Sequence, residues 1–205
     1  MSRLCLLPIL FLMACSGLRL SQQEMTAQQK EIDIFQENLN QKFANEETSP
    51  LRYDSIPSFK SLDFFPASSD YIVKAKLIRT PDSKPFQVPT SAGKLKTFKK
   101  YADLHFRIKG KKLQLEVYKN LQMSRHPLFG KLLFLPFTDA SNGEFTYGGG
   151  RYLDLEVPDG DQIVLNFNKA YNPYCAYSDR YNCPIPPKEN ALPVAILAGV
   201  KAYNK

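Results

Sequence analysis

The sequence predicts a mainly β protein, an antiparallel sandwich or partly open barrel with one N-terminal amphipathic helix. Three observations support this fold class. Apolar residues recur at helical spacing only near the start of the chain, short alternating runs follow residue 50, and two of these runs form a clear β-hairpin. Because 43% of the 205 residues are hydrophobic and 12% aromatic, the composition is that of one folded domain, which we place at 22–205.

The predicted helix covers about 22–44. Ser21 and Glu24 have the spacing of a capping box, in which each side chain bonds the backbone N–H of the other residue. The apolar residues that follow at helical intervals are Met25, Ile32, Phe35, Leu39 and Phe43. No second helix is predicted, so we expect this apolar stripe to cover a sheet.

The clearest β-structure is a hairpin. Apolar and polar residues alternate over 102–108 and over 113–117, and Gly110 lies at the turn between them. Further strands are predicted at 71–79, 131–137, 152–157, 162–168 and 193–198. The three glycines at 148–150 stand between strands, where a bulge or a close backbone approach is expected rather than a phosphate-binding loop.

The amino terminus resembles the signal of a bacterial lipoprotein. Arg3 precedes an apolar run, 4–13, that is too short to span a bilayer, which predicts a signal peptide over 1–14. The end of this run, Leu12-Met13-Ala14-Cys15, resembles a lipobox, whose cysteine takes a diacylglyceryl group and becomes the first mature residue. Lipidation of Cys15, followed by a tether over 15–21, predicts a membrane-anchored, extracytoplasmic protein of the cell envelope. An ordinary secretory signal cleaved nearby is the alternative.

Cysteine usage follows from export. Cys5 leaves with the signal and Cys15 carries lipid, so Cys175 and Cys183 remain as a pair, and in an oxidising compartment a disulfide is the expected state. A catalytic thiolate or a zinc site would need a partner from His105 or His126, the only histidines, and the cysteine spacing is not that of common zinc sites. We therefore expect no metal and no cofactor.

The chain is basic. Its formal charge of +7 falls to about +6 when Arg3 is removed with the signal, which favours anionic lipid head groups or acidic polymers as partners. Export argues against nucleic acid as a partner.

The candidate site lies in the last third of the chain, where amide, tyrosine and charged side chains are dense in a proline-rich loop. An arginine held by amide and carboxylate neighbours binds anions bidentately, which predicts an anionic small molecule or envelope polymer as ligand. The alternative is that these residues only satisfy buried backbone groups of the loop. The candidates are Arg151, Asn168, Tyr171, Asn172, Glu189 and Asn190.

Several motifs together resemble the DUF1684 family, a domain of unknown function. They are Ser49-Pro50-Leu51, Phe64-Phe65-Pro66, the segment 134–139, the segment 146–152 and the whole of 168–190. Asn166 stands where the family pattern leads us to expect Asp, and Val200 where it leads us to expect Glu. The resemblance implies a site region but no activity.

Two functions remain open. The first is an envelope module that binds a ligand or a partner protein. The second is a hydrolase-like envelope enzyme with its site in 151–190. This hypothesis would gain support from a deep pocket in which Arg151, Glu189 and either Asp139 or Asp154 converge with a desolvated carboxylate. The lack of a well-placed base and nucleophile favours the binding module.

Overall fold

The computed structural model describes residues 20–124, 126 and 130–203. The predicted signal peptide and Cys15 lie outside these residues. One helix, α1 (Gln22–Ala44), precedes eight strands. The strands are β1 (Ile72–Arg79), β2 (Pro85–Pro89), β3 (Leu95–Ile108), β4 (Lys111–Asn120), β5 (Leu132–Asp139), β6 (Arg151–Glu156), β7 (Gln162–Asn166) and β8 (Ala191–Leu192).

Helix α1 begins and ends as predicted. Ser21 accepts a hydrogen bond from the backbone N–H of Glu24, and the Glu24 carboxylate accepts one from the N–H of Ser21 at 2.7 Å. Ile32 and Phe43 are the buried residues of the helix. Within the described part of the chain, no helix is long and apolar enough to cross a membrane.

The strands form one sheet that curls into a half-barrel, in the order β6-β5-β4-β3-β1-β7. All pairs on this path are antiparallel, β2 adds to β3, and β8 adds to β5 in parallel. The predicted mainly β fold is confirmed, in its barrel form rather than as a sandwich. Proline at both ends of β2 hid that strand from the sequence pattern.

Two edges of the sheet approach each other through the segment after β7. A short 3₁₀ turn at Phe167–Lys169 leads to Tyr171, which pairs with Tyr152 on the opposite edge strand. Helix α1 packs on this segment, where Lys169 binds Glu31 at 2.7 Å and Gln28 accepts from Asn166 at 3.1 Å. The helix therefore covers the seam of the half-barrel instead of the open face of a sheet.

The main core lies inside the half-barrel and consists of the inward residues of β1 and β3–β7, joined by Leu192, Ile196 and Ala198. A second cluster lies beneath the end of α1 and includes Phe43, Leu51 and Tyr177.

The predicted strand at 193–198 is wrong. Only Ala191–Leu192 pairs as a strand, and the chain that follows enters the core in irregular form. Val194 accepts from the backbone N–H of Ala140 just beyond β5, whereas the backbone groups of Ile196 and Ala198 bond to buried side chains.

Candidate functional site

Arg151 is fully buried; both of its terminal nitrogens bind protein groups, while its buried Nε has no hydrogen-bond partner among the described residues. Its relative exposure is 0%, and one terminal nitrogen donates to Asp139 at 2.9 Å and to the carbonyl of Ile196 at 2.7 Å. The other terminal nitrogen donates to the carbonyl of Ala198. The preceding residue, Gly150, has φ +86 and lies close to β5. A Cβ at this position would lie 2.6 Å from the carbonyl oxygen of Phe137, so only glycine allows the backbone to pass there.

Asp139 completes this arrangement. Its other oxygen accepts from the N–H of Ile196 at 3.0 Å and from the N–H of Ser141 at 2.9 Å. Burial lowers the pKa of Arg151 and the Asp139 carboxylate opposes that shift, so the guanidinium stays charged within the pair. Arg151 and Asp139 thus hold the segment from Ile196 to Ala198 in place of a strand partner. The predicted role of Arg151 in anion recognition does not fit this geometry.

The three predicted asparagines bind backbone groups as well. The Asn168 side chain accepts from the N–H of Ser68 at 2.9 Å and donates to its carbonyl at 3.0 Å. Asn190 makes the same paired contact with Glu116, at 2.7 and 2.8 Å. Asn172 donates to the carbonyl of Lys201 at 2.9 Å. Each amide joins segments that are distant in sequence.

The predicted site residues therefore do not converge. Glu189 is exposed and makes no ion pair among the described residues, while Arg151 is enclosed in the core. The pocket that would have supported the enzyme hypothesis, with Arg151, Glu189 and an aspartate in one place, is not formed by the described residues. Of the six candidates, only Tyr171 lines the cavity described next.

A cavity of about 480 Å³, here called the aromatic cavity, lies on the outer face of β5 and β6 beneath the second half of α1. The loop that contains Tyr171 and Pro184 forms its remaining wall. Its lining is Phe35, Leu39, Lys42, Lys96, Phe98, Asn120, Met123, Leu132, Leu133, Phe134, Tyr152, Asp154, Tyr171, Pro173, Tyr174, Cys183 and Pro184.

Strand alternation supplies its wall. On β6, Leu153 and Leu155 point into the main core, so Tyr152 and Asp154 point outward into the cavity. Phe134 lies directly opposite Asp154 in the register of β5 and β6. The cavity is thus built from the face of the strands that sequence patterning assigns to solvent.

Aromatic rings form a continuous row along the cavity. Phe98 stacks on Phe134 at a centroid distance of 5.5 Å, Phe134 meets Tyr152 edge-on at 4.7 Å, and Tyr152 meets Tyr171 edge-on at 5.8 Å. Such contacts fix the rings in position. The Tyr152 hydroxyl donates to the carbonyl of Pro184, which fastens the loop over the strand.

One carboxylate faces this row. The Tyr171 hydroxyl donates to Oδ2 of Asp154 at 2.8 Å, and Oδ1 accepts no hydrogen bond from the described residues. Although the side chain remains open to the cavity, the apolar surroundings desolvate it and raise the pKa of Asp154, while the Tyr171 hydrogen bond and the Lys42 charge oppose the shift. Lys42 lies 4.9 Å above the Tyr174 ring at the edge of the cavity.

Cys183 lines the cavity, and Cys175 lies next to it but is not bonded to it. Both are free thiols, and the N–H of Cys175 donates to the Cys183 sulfur at 3.3 Å. A hydrogen bond from Cys183 lowers the pKa of Cys175 to about 6, and the same contact raises the pKa of Cys183. The disulfide predicted from the sequence is therefore not found in the structure.

Sequence reasoning missed most of the aromatic cavity. Phe134 and Tyr152 are diagonal neighbours on the paired strands β5 and β6, whereas Phe98 lies on β3, and Tyr171 comes from the loop after β7. The one sequence signal that could have indicated the cavity is the presence of aromatic residues, Phe134 and Tyr152, at positions of β5 and β6 that face away from the core.

Comparisons with known proteins agree with the motif resemblance. The profile of the family described as "Protein of unknown function (DUF1684)" matches residues 57–201. The solution NMR structure of the uncharacterized protein from gene locus rrnAC0354 of Haloarcula marismortui is 30% identical, with a TM-score of 0.70. That match covers 88% of this chain and 97% of the Haloarcula chain. No curated protein matches the chain.

Proposed function

Since this chain belongs to the DUF1684 family, we propose its function from the cavity it carries: a membrane-anchored lipoprotein of the cell envelope that binds a small, mainly apolar molecule containing a ring. The aromatic cavity is the observation that supports the proposal. The binding-module function is thus retained, with its site moved from Arg151 to the outer face of β5 and β6.

The dimensions and lining fit a ligand pocket. Sites for small molecules typically enclose about 300–1,000 Å³ and combine an apolar wall with a few fixed polar groups. The cavity here holds about 480 Å³ and sets the Asp154 carboxylate against a row of rings, of which Tyr171 also supplies a hydroxyl. Aromatic walls favour flat apolar ligands through offset and edge-on ring contacts. Asp154 then orients a hydrogen-bond donor of the ligand through its free oxygen.

A cavity-blocking substitution tests this site. N-phenyl-1-naphthylamine, excited directly, should become more fluorescent when it binds the wild-type protein. Leu39→Trp should reduce the affinity for this probe at least 10-fold, because the indole fills the cavity. Ile34→Trp is the matched control, because Ile34 is exposed on the same helix and outside the lining. Equal affinity in both variants, or no binding by the wild type, contradicts the proposal.

The anchor is a separate part of the proposal. The lipobox-like end of the signal supports lipidation of Cys15, and two or more acyl chains give stable membrane attachment where one does not. Cys15→Ser should move the protein to the soluble fraction and abolish labelling by a clickable fatty acid. Membrane retention with unchanged labelling would refute the anchor.

The cysteine pair belongs to the same proposal. Cys175 and Cys183 lie in contact, and the depressed pKa of Cys175 makes its thiolate available for oxidation in an oxidising envelope. Mass spectrometry of the non-reduced protein taken from the envelope should show the two residues linked. Two alkylatable thiols in that sample would exclude the disulfide.

A further inference from the structure

A groove distinct from the aromatic cavity lies where the described chain begins. It has a volume of about 650 Å³ and is lined by Leu20 and by the starts of α1 and β1 on one side. The tip of the β3–β4 hairpin forms the other side. We call it the basic groove, because Lys74, Lys76, Arg107 and Lys112 stand along it.

The charges of the basic groove are not balanced. Lys74 pairs with Glu24 at 3.1 Å, and Asp70 is the one acidic residue in the lining. Among the described residues, Lys76, Arg107 and Lys112 make no ion pair. The groove therefore presents a net positive surface to solvent.

The sheet accepts a repulsive contact at this place. Arg107 and Lys112 are directly opposite each other in the register of β3 and β4. Like charges directly opposite each other destabilise a strand pair. Arg107 donates one hydrogen bond to the carbonyl of Gly110 at 2.9 Å, but this neutral acceptor does not balance its positive charge.

Apolar side chains lie beside these charges. Ile72 shares the outer face of β1 with Lys74 and Lys76, and the half-buried Leu20 and Met25 stand next to it in the lining. Apolar side chains beside a cationic cluster match a phospholipid, whose head group is anionic and whose chains are apolar.

The position of the groove close to Cys15 indicates that its partner is the membrane. Leu20 follows Cys15 by five residues, so an acyl chain on Cys15 holds the groove within at most about 18 Å of the membrane surface. We infer that the basic groove is the face with which this protein rests on anionic phospholipids of the membrane that anchors it. The inference rests on the proposed anchor. It adds the orientation of the domain relative to the membrane, which lipidation of Cys15 alone does not determine.

A tryptophan reporter tests the contact, because the chain contains no tryptophan. The lipidated protein, carrying Met25→Trp in the groove, is reconstituted in phosphatidylcholine vesicles with and without phosphatidylglycerol, using brominated acyl chains as quenchers. We expect at least two-fold stronger quenching with phosphatidylglycerol, and loss of that difference at high salt. Met123→Trp, in the aromatic cavity, should show no such difference.

A charge reversal separates membrane contact from folding. Lys112→Glu places opposite charges across from each other with Arg107, so it should keep or raise the thermal midpoint while abolishing the lipid-dependent quenching of Met25→Trp. Lys111→Glu, outside the lining, is the matched control and should leave the quenching intact. Quenching that is independent of phosphatidylglycerol, or equal in both charge variants, overturns the inference.

Failure of the anchor would look different. A protein without lipid on Cys15 would not float with pure phosphatidylcholine vesicles, whereas failure of the groove inference leaves flotation unchanged and removes only the quenching difference.

Discussion

Arg151 shows how one residue can be identified correctly as important and still be assigned the wrong role. A buried charge is costly unless it is paired, so an arginine enclosed in the core must have partners. Those partners are Asp139 and two carbonyls of the C-terminal segment, not a ligand. Sequence alone could not decide between them, because the partners lie 12 to 47 residues away along the chain.

We predict that Arg151→Lys folds with a loss of about 1.5–3 kcal/mol of unfolding free energy, because a lysine keeps the charge but cannot reach Asp139 and both carbonyls at once. Chemical denaturation measures the loss. Arg52→Lys, at an ion pair whose side chains are 63% and 68% exposed, should change stability by less than about 0.5 kcal/mol. An equally small effect at Arg151 would mean that the buried contacts are not needed.

Asp154 carries a second prediction at this scale. The apolar surroundings of this exposed side chain desolvate it and raise its pKa, so the folded state holds the proton to higher pH than the unfolded chain does. The stability that this protonation gives is fully present below the unfolded pKa, near 3.8, and is lost as the pH rises through the folded value. Asp154→Asn should therefore be more stable than the wild type near neutral pH.

The pH dependence supplies the control for this prediction. The gain from Asp154→Asn should vanish in acid, and Tyr171→Phe should steepen the loss of stability with rising pH, because it removes the hydrogen bond that favours the carboxylate. Thermal midpoints across pH measure both effects. A stability gain of Asp154→Asn that persists unchanged in acid would show that ionisation is not its cause.

At the scale of elements, local patterns predicted what local interactions determine. The capping box placed α1, and strict alternation placed the hairpin of β3 and β4. The strand expected at 193–198 failed for a physical reason: its apolar residues are buried as a strand's would be, but Asp139 and Arg151 bind its backbone. A short apolar sequence is expected both for a buried irregular segment and for a buried strand. Only the tertiary structure distinguishes the two.

Gly199 ends that irregular segment and gives an element-scale prediction. It has φ +78, and a Cβ there would overlap the carbonyl oxygen of Ala170. Gly199→Ala should lose about 1–3 kcal/mol of unfolding free energy, of which the backbone conformation accounts for about 1. Gly93→Ala isolates that part, since Gly93 has φ +72 with no atom within 4 Å of its would-be Cβ. Equal losses in the two variants would contradict the close approach.

At the scale of the whole molecule, the sheet's curl creates a site that no segment carries alone. Inward-facing residues of the strands build the core, and the predicted fold class follows from them. Outward-facing residues of β5 and β6 would be solvent-exposed on a flat sheet, yet here the helix and the loop at 171–184 cover them. Composition and spacing could predict the core contacts of the inward-facing residues. They could not predict the contacts of the outward-facing residues, because the helix and the loop that cover those residues come from opposite ends of the chain.

The central claim is that ligand binding belongs to the aromatic cavity and not to the region of Arg151. Chemical-shift mapping tests it most directly: the ¹⁵N-labelled protein is titrated with N-phenyl-1-naphthylamine while its amide spectrum is recorded. The account predicts the largest saturable shifts at Phe35, Phe134 and Tyr174, with Asp139 and Asn190 unmoved. Saturable shifts confined to Asp139, Arg151 and Asn190, or a spectrum that does not change, would contradict it.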